Sequence, residues 1–176
     1  MAEASDEELM VRYAGGDAGA FETLSARHRA PLYRYIVRQA GDDALANDLY
    51  QATWERVIRA RGRYRPEAPF GAWLFRIARH QLIDHWRSEK PTVDADEVAL
   101  RTDDEDPGER RDAQATRERL LHAVTQLPEE QRDAMLLKLD GGFSLQEIAA
   151  ITGVGRETVK SRLRYAVRKI RQVMKP

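Results

Sequence analysis

The chain has 176 residues, 42% of them apolar, so it can form one medium domain or two small ones with compact cores. It contains no cysteine, which excludes disulfides, thiolate zinc sites and cysteine catalysis. Its net charge is zero, but residues 61–90 and 143–176 carry net charges of +4 and +6, whereas residues 91–118 carry −6. Such basic blocks can neutralise nucleic-acid phosphates, although solvated basic helices have the same composition.

The start of the chain is polar and acidic, which predicts that there is no secretory signal peptide. The longest stretch without Asp, Glu, Lys or Arg covers residues 120–128, and it is too short to span a bilayer. The absence of cysteine fits a reducing compartment. We therefore expect a cytoplasmic protein with no membrane partner.

Apolar residues recur at helical spacing along most of the chain, and the alternation typical of strands is hard to find, so we predict an all-α fold. Four helices are predicted in the first half, over residues 6–13, 18–39, 44–60 and 70–88. Asp6 is a suitable N-cap for the first helix. Pro31 predicts a kink or a break in the second helix, because proline lacks the N–H that the helix needs. A loop over residues 63–69, with two prolines, precedes the fourth helix.

Helical spacing stops between residues 90 and 112, where four consecutive acidic residues, 103–106, are followed by Pro107 and Gly108. A stretch of this composition cannot bury enough apolar surface to order itself, so we predict a flexible acidic linker. The predicted division is a helical bundle of residues 1–90, a linker of residues 91–112 and a second helical domain of residues 113–176. In that second domain, helices are predicted over residues 113–127 and 128–140.

The most specific local pattern begins at Ser144. Ser144 and Glu147 have the spacing of a capping box, which starts a short helix. Gly153 fits the left-handed position that ends this helix, and a basic helix follows. A short helix, a tight turn and a basic second helix predict a DNA-binding helix-turn-helix rather than a hairpin with solvated arginines. The residues predicted to face DNA are Arg156, Glu157, Lys160, Ser161, Arg164, Tyr165 and Arg168.

Several motifs, taken together, resemble a known family. Those in the second domain are Leu127-Pro128-Glu129-Glu130-Gln131-Arg132, Ser144-x-x-Glu147-Ile148-Ala149 and Thr158-Val159-Lys160-Ser161-Arg162-Leu163. Those in the first domain are Gly16-Asp17-x-x-Ala20-Phe21, Asp48-Leu49-x-Gln51, Tyr64-Arg65-Pro66 and the run from Phe70 to Arg79. The set is similar to regions 2 and 4 of the extracytoplasmic-function (ECF) sigma factors of the sigma-70 class.

This resemblance implies a division of labour. The second domain (region 4) is expected to bind the −35 promoter element as a duplex and to dock on the flap of RNA polymerase. The first domain (region 2) is expected to bind the clamp helices of the polymerase core and to open the −10 element. The implied −10 residues are Tyr64, Arg65, Phe70, Arg76, Arg79 and His80, because aromatic faces beside arginines can capture unstacked bases. The helical spacing of Trp73 favours a place in the core instead.

The implied polymerase-binding residues lie on the third helix and are Asp48, Gln51, Thr53, Trp54 and Arg56. Relatives typically carry acidic residues at four positions within a motif that aligns with residues 45–54 of this helix, and of these four positions only Asp48 is acidic here. We therefore expect weak binding to the polymerase, since complementary charge contributes to such contacts. Phosphorylation of Thr53 by a Ser/Thr kinase would restore negative charge, and this is a hypothesis for how the protein is switched on. An anti-sigma factor is usual in the family, and control by a kinase would make one dispensable.

Two further departures from the family pattern concern DNA recognition. His80 stands where asparagine is common and Tyr165 where arginine is common, so the promoter sequence is left open. The alternative function is a helix-turn-helix regulator that acts without polymerase. A metal-dependent hydrolase has less support, because His85 points about 100° away from Asp84 on a helix that also carries His80. We predict no cofactor, no metal and no catalytic activity.

Overall fold

The computed structural model describes residues 2–89 and 111–176, and within these residues the regular structure is entirely helical, which confirms the predicted all-α class. The helices are α1 (Asp6–Ala14), α2 (Ala18–Ala40), α3 (Asp43–Ala60), α4 (Phe70–Ser88), α5 (Arg111–Thr125), α6 (Glu129–Leu139), α7 (Leu145–Thr152) and α8 (Arg156–Met174). A single 3₁₀ turn, Arg61–Arg63, follows α3. The predicted acidic linker lies outside the described residues, except for its last two, which begin α5.

Local side-chain caps set several helix ends. The N-cap of α1 is Ser5 rather than Asp6: the Glu8 N–H donates to Ser5 Oγ at 3.2 Å, and the Ser5 N–H donates to Glu8 Oε2 at 2.9 Å. This capping box satisfies two backbone donors that a helix start otherwise leaves free. Of the kink or break predicted at Pro31, the break is absent, since α2 continues through this residue as one helix of 23 residues. The residues that follow the proline, including Leu32 and Tyr35, are buried and hold the helix in place by packing.

The first four helices form a bundle. α1 packs on α2, and α3 packs against both α2 and α4. Fully buried side chains from each helix meet in its centre, among them Met10, Leu24, Ile36, Val57 and Leu74. This packing decides which faces of α3 and α4 remain available to partners.

The helix-turn-helix is formed by α7 and α8, with α5 and α6 packed against α8. The predicted capping box is present, with the Glu147 N–H donating to Ser144 Oγ at 3.2 Å and the Ser144 N–H donating to Glu147 Oε1 at 3.3 Å. Gly153 adopts φ 73°, in the left-handed region that favours glycine, and its N–H donates to the Ala149 carbonyl. Val167 of α8 is 37% exposed, whereas the neighbouring Ala166 is buried.

The two helical halves contact each other directly. α4 packs against α7, and α2 packs against α6, so that the buried apolar cluster is continuous through both halves. None of the described helices is both long and apolar enough to cross a lipid bilayer.

Candidate nucleic-acid and polymerase interfaces

The outer face of α8 presents the predicted −35 residues to solvent. All seven lie on this helix; six of them are exposed and Ser161 is half-buried. The opposite side of the helix is anchored by Val159, Leu163 and Ala166, which are buried. The packing of α8 on α5, α6 and α7 thus holds a row of cationic side chains outward, which is the geometry that major-groove recognition requires.

Tyr165 lies between two arginines on this face. The guanidinium carbons of Arg164 and Arg168 are 5.5 and 5.6 Å from the centre of its ring, within the range of cation–π attraction. Tyr165 is 45% exposed, so its ring is accessible from solvent. Its position within the cationic row fits a contribution to DNA contact.

The burial of Tyr64 and Phe70 contradicts the prediction that their rings form part of the −10 site. Tyr64 is only 6% exposed and Phe70 is fully buried, so neither ring is available to stack on a base. Burial, with Glu7 and Asp6 nearby, raises the pKa of Tyr64 to about 12, and its hydroxyl donates to the Ala68 carbonyl at 2.6 Å. Trp73 is half-buried and packs on both rings, with centroids 5.1 Å from Tyr64 and 5.9 Å from Phe70.

These aromatic residues instead support the loop that precedes α4. Residues 65–69 are all exposed, and Arg65 is among them. The Tyr64 hydroxyl holds one side of the loop through Ala68. Glu7 of α1 holds the other end, because its Oε1 accepts the N–H of Phe70 at 2.8 Å and so caps α4, which has no side-chain cap of its own. A loop anchored at both ends is preorganised for binding.

The three remaining −10 candidates lie along α4. Arg76 and His80 are exposed, whereas Arg79 is half-buried and its Nε donates to Asp133 of α6 at 2.7 Å. Partial desolvation of the imidazole against its neighbours, together with the nearby charges of Arg76 and Arg79, lowers the pKa of His80 below its usual value of 6.5. His80 is therefore predominantly uncharged at neutral pH, and it can accept or donate a hydrogen bond without adding to the positive charge.

The predicted polymerase-binding residues on α3 divide into two sets. Asp48, Gln51 and Arg56 are exposed, whereas Thr53 is fully buried and Trp54 is 9% exposed. The Thr53 hydroxyl donates to the Leu49 carbonyl at 2.7 Å. This burial counts against the phosphorylation hypothesis, because a kinase cannot reach the hydroxyl in this fold and a phosphate there would be enclosed by apolar side chains.

A groove of about 650 Å³ lies between α6 and α8. Its apolar surface comes from Met135, Leu139, Leu163 and Val167, and Leu139 is 49% exposed. Its cationic and polar residues are Lys138, Arg164, Arg168, Arg171, Gln172 and Lys175. An apolar floor with a cationic rim is suited to an amphipathic segment that carries acidic residues.

The metal-ligand cluster that the sequence raised as an alternative is not assembled. Among residues 2–89 and 111–176, no group of three or more His, Asp or Glu side chains is placed to hold a metal ion. His85 lies 3.3 Å from Glu89, one helical turn further on, in an ordinary surface pair.

A helix-turn-helix with a cationic outer face, joined to a second helical bundle, defines a helical DNA-binding protein. The first half matches the family model for Sigma-70 region 2 over residues 24–92, and the second matches Sigma-70, region 4 over residues 117–170. The chain is 36% identical to the RNA polymerase sigma factor CarQ of Myxococcus xanthus over 174 residues, covering 94% of this chain and 95% of the relative. It is also 35% identical to the ECF RNA polymerase sigma factor SigL of Mycobacterium tuberculosis, covering 90% of each. The chain therefore belongs to the ECF sigma factors of the sigma-70 family.

Solved structures share the fold. CnrH, in complex with the cytosolic domain of CnrY, superposes with a TM-score of 0.74 at 25% identity and covers 97% of each chain. The sigma factor RpoE of Bartonella quintana, in complex with the anti-sigma factor NepR, superposes with a TM-score of 0.73 at 22% identity over 88% of this chain and 96% of that one. Sigma factors are transcription initiation factors and not catalysts.

Proposed function

We propose that this sigma factor directs RNA polymerase to promoters by reading the −35 element with α8 and opening the −10 element with the loop before α4. The observation that carries the proposal is the exposed cationic face of α8, held outward by packing on three other helices. Curated relatives that the chain matches nearly end to end are named RNA polymerase sigma factors, which supports the same role.

Recognition of the −35 element would start at the amino end of α8. Arg156 and Lys160 lie in its first turns, where a recognition helix meets base edges in the major groove. Arg164 and Arg168 lie further along the exposed side and would hold phosphates. Base contacts give sequence preference, and phosphate contacts give most of the affinity and its dependence on salt.

Opening of the −10 element would rely on the loop of residues 65–69, with Arg76 and His80 beside it on α4. These residues are exposed, and the loop is anchored at both ends, so a flipped base would meet a preformed surface. His80 is predominantly neutral, which suits a hydrogen bond to a base better than a phosphate contact. The buried aromatic residues would act by supporting the loop.

The polymerase would be bound through two surfaces. Asp48 and Gln51 on α3 would meet the clamp helices, and the groove between α6 and α8 would receive an acidic amphipathic part of the flap. Asp48 is the acidic residue that remains of the family's acidic cluster on α3, and this loss of charge predicts modest affinity. An anti-sigma factor is the expected regulator, because RpoE, which has the same fold, is bound by the anti-sigma factor NepR.

Control by phosphorylation of Thr53 would require an additional step. The α3 helix would have to leave the bundle before a kinase could reach the hydroxyl, because Thr53 is fully buried. The alternative function, a regulator that acts without polymerase, does not explain the loop before α4 or the groove between α6 and α8. Co-purification of the chain with core polymerase would distinguish the two functions.

In vitro transcription with core RNA polymerase and mapped start sites tests the proposal. The wild-type chain is expected to produce transcripts from defined start sites that core enzyme alone does not use. Lys160→Ala is expected to reduce them, and Lys169→Ala provides a matched control, since nine residues place its exposed side chain about half a turn around α8. An absence of specific transcripts, or equal loss in both variants, would contradict the proposal.

A further inference from the structure

The helix α8 carries a single aromatic residue, Tyr165, together with seven arginines and lysines. Tyr165 is the tenth residue of this helix, and Ser161 and Arg168 share its side at spacings of four and three residues. The side chains that anchor α8 to its neighbours, such as Leu163 and Ala166, are buried. The ring of Tyr165 therefore lies on the exposed side of α8, on the surface that would meet DNA.

Two guanidinium groups hold the ring of Tyr165. The guanidinium carbons of Arg164 and Arg168 lie over the ring, 5.5 and 5.6 Å from its centre. Cation–π attraction restrains the side chain, so less conformational entropy is lost when the ring contacts a ligand. Although both cations contact the ring, Tyr165 remains 45% exposed. Part of its apolar surface is therefore free to meet a partner.

An aromatic ring and an arginine recognise different base pairs. The major groove presents hydrogen-bonding groups on every base pair, and its one apolar group is the 5-methyl group of thymine. A phenol ring offers mainly apolar surface, so it matches the thymine methyl, whereas the paired donors of an arginine match guanine. Stacking on bases, the other use of aromatic rings, requires unpaired bases, and the −35 element is bound as a duplex in the proposed function.

The place of Tyr165 along α8 gives it a base pair of its own. It follows Lys160 by five residues, or about 7.5 Å along the helix axis at about 1.5 Å per residue. Since each base pair occupies about 3.4 Å of a duplex, Lys160 and Tyr165 would meet different base pairs. Arg164 and Arg168 are exposed beside the ring, where their charges can bind the adjacent phosphates.

We propose that Tyr165 is a specificity-determining residue, which selects a thymine of the −35 element through its 5-methyl group while Arg164 and Arg168 hold the ring and bind phosphates. The inference rests on the proposed function and adds the base, and the chemical group on that base, that α8 recognises. The −35 element of this sigma factor then contains an A·T pair where the third turn of α8 meets the major groove.

Deoxyuridine tests the contact, because it pairs like thymidine and lacks only the 5-methyl group. Promoter fragments are taken from the start sites mapped with the complete chain and core RNA polymerase, and each thymine of the −35 element is replaced in turn. Binding by this complex is expected to weaken about fourfold at one position, which corresponds to the burial of one methyl group. Equal binding at every position would overturn the proposal.

Two substitutions assign the methyl effect to the ring. Tyr165→Ala should bind the thymine and deoxyuridine promoters equally, whereas Tyr165→Phe should keep the full difference, because the ring and not the hydroxyl makes the contact. Val173→Ala is the matched control, since it shortens an exposed apolar side chain in the last turn of α8, and it should also keep the difference. A methyl effect that persists in Tyr165→Ala, or disappears in Tyr165→Phe, would overturn the assignment.

A change of residue type tests the selection directly. Tyr165→Arg is expected to change the preferred base at the same position from thymine to guanine, because arginine donates to both O6 and N7 of guanine. A variant that still prefers thymine would overturn the proposal. Transcription separates this inference from the proposed function. Absence of specific transcripts with the wild-type chain contradicts both, whereas specific initiation without a methyl effect contradicts only the role of Tyr165.

Discussion

Substitutions at Thr53 test whether this residue is a core position or a site of regulation by phosphorylation. Thr53→Glu would place a carboxylate among buried side chains of α3, where the hydroxyl now donates to the Leu49 carbonyl. An unpaired buried charge costs about 3–5 kcal/mol. For a domain as small as the first bundle, 1 kcal/mol of stability corresponds to about 4–8 °C in melting temperature, so the midpoint of thermal unfolding should fall by at least about 12 °C. Thr53→Val should remain within about 1 kcal/mol of wild type, because the acceptor keeps its helical hydrogen bond.

The assay combines thermal unfolding, followed by circular dichroism, with titration of core RNA polymerase. Asn47→Glu is the matched control, because it adds the same charge at an exposed position of α3. This control should unfold within about 0.5 kcal/mol of wild type and bind polymerase more tightly, since it restores part of the acidity. A Thr53→Glu protein with a wild-type midpoint and increased polymerase affinity would refute the argument from burial and support the phosphorylation switch.

Three further outcomes are expected. Lys160→Ala should weaken binding of a −35 duplex by about 1–3 kcal/mol if the side chain reads a base edge, as measured by fluorescence anisotropy; loss no greater than in Lys169→Ala would argue against that role. The pKa of His80 is lowered, and the overall negative charge of DNA favours the protonated imidazole, so wild-type affinity for −10 DNA should rise as pH falls through that pKa and His80→Asn should remove the trend; a flat wild-type profile would contradict this. Tyr64→Phe should lose about 0.5–1.5 kcal/mol of stability and Tyr64→Ala about 3–5 kcal/mol in urea unfolding, whereas an unchanged Tyr64→Ala midpoint would indicate an exposed ring.

The sequence predicted most helix positions because the signals that start and stop helices are local. Gly153 and the Ser144 capping box act within four residues of themselves, and both are present as expected. Helical spacing alone also placed α4 at residues 70–88. The sequence predicted a kink or a break at Pro31, and the helix does not break there, because packing of the residues after it outweighs the loss of one backbone hydrogen bond.

The candidate sites were less predictable, because aromatic residues serve both cores and DNA surfaces. The sequence could not show that Tyr64 and Phe70 face inward, because aromatic residues that stack on DNA bases and aromatic residues buried in a core have the same spacing along the chain. The roles of Asp133 and Glu7 were missed altogether. Their hydrogen-bond partners lie up to 98 and 63 residues away, and no local pattern reports a contact at that separation. Two acidic residues seven positions apart, 133 and 140, were the available signal.

The carboxylate of Glu7 has a practical bearing on how shortened versions of this sigma factor are designed. The Sigma-70 region 2 match starts at residue 24, so a fragment cut to that boundary would lack α1 and with it the acceptor for the Phe70 amide. Such a fragment would begin α4 with an unsatisfied amide and leave residues 65–69 tethered only through Tyr64. If residues 65–69 open promoter DNA as proposed, melting measured on this fragment would report a loosened loop and underestimate the activity of the intact protein.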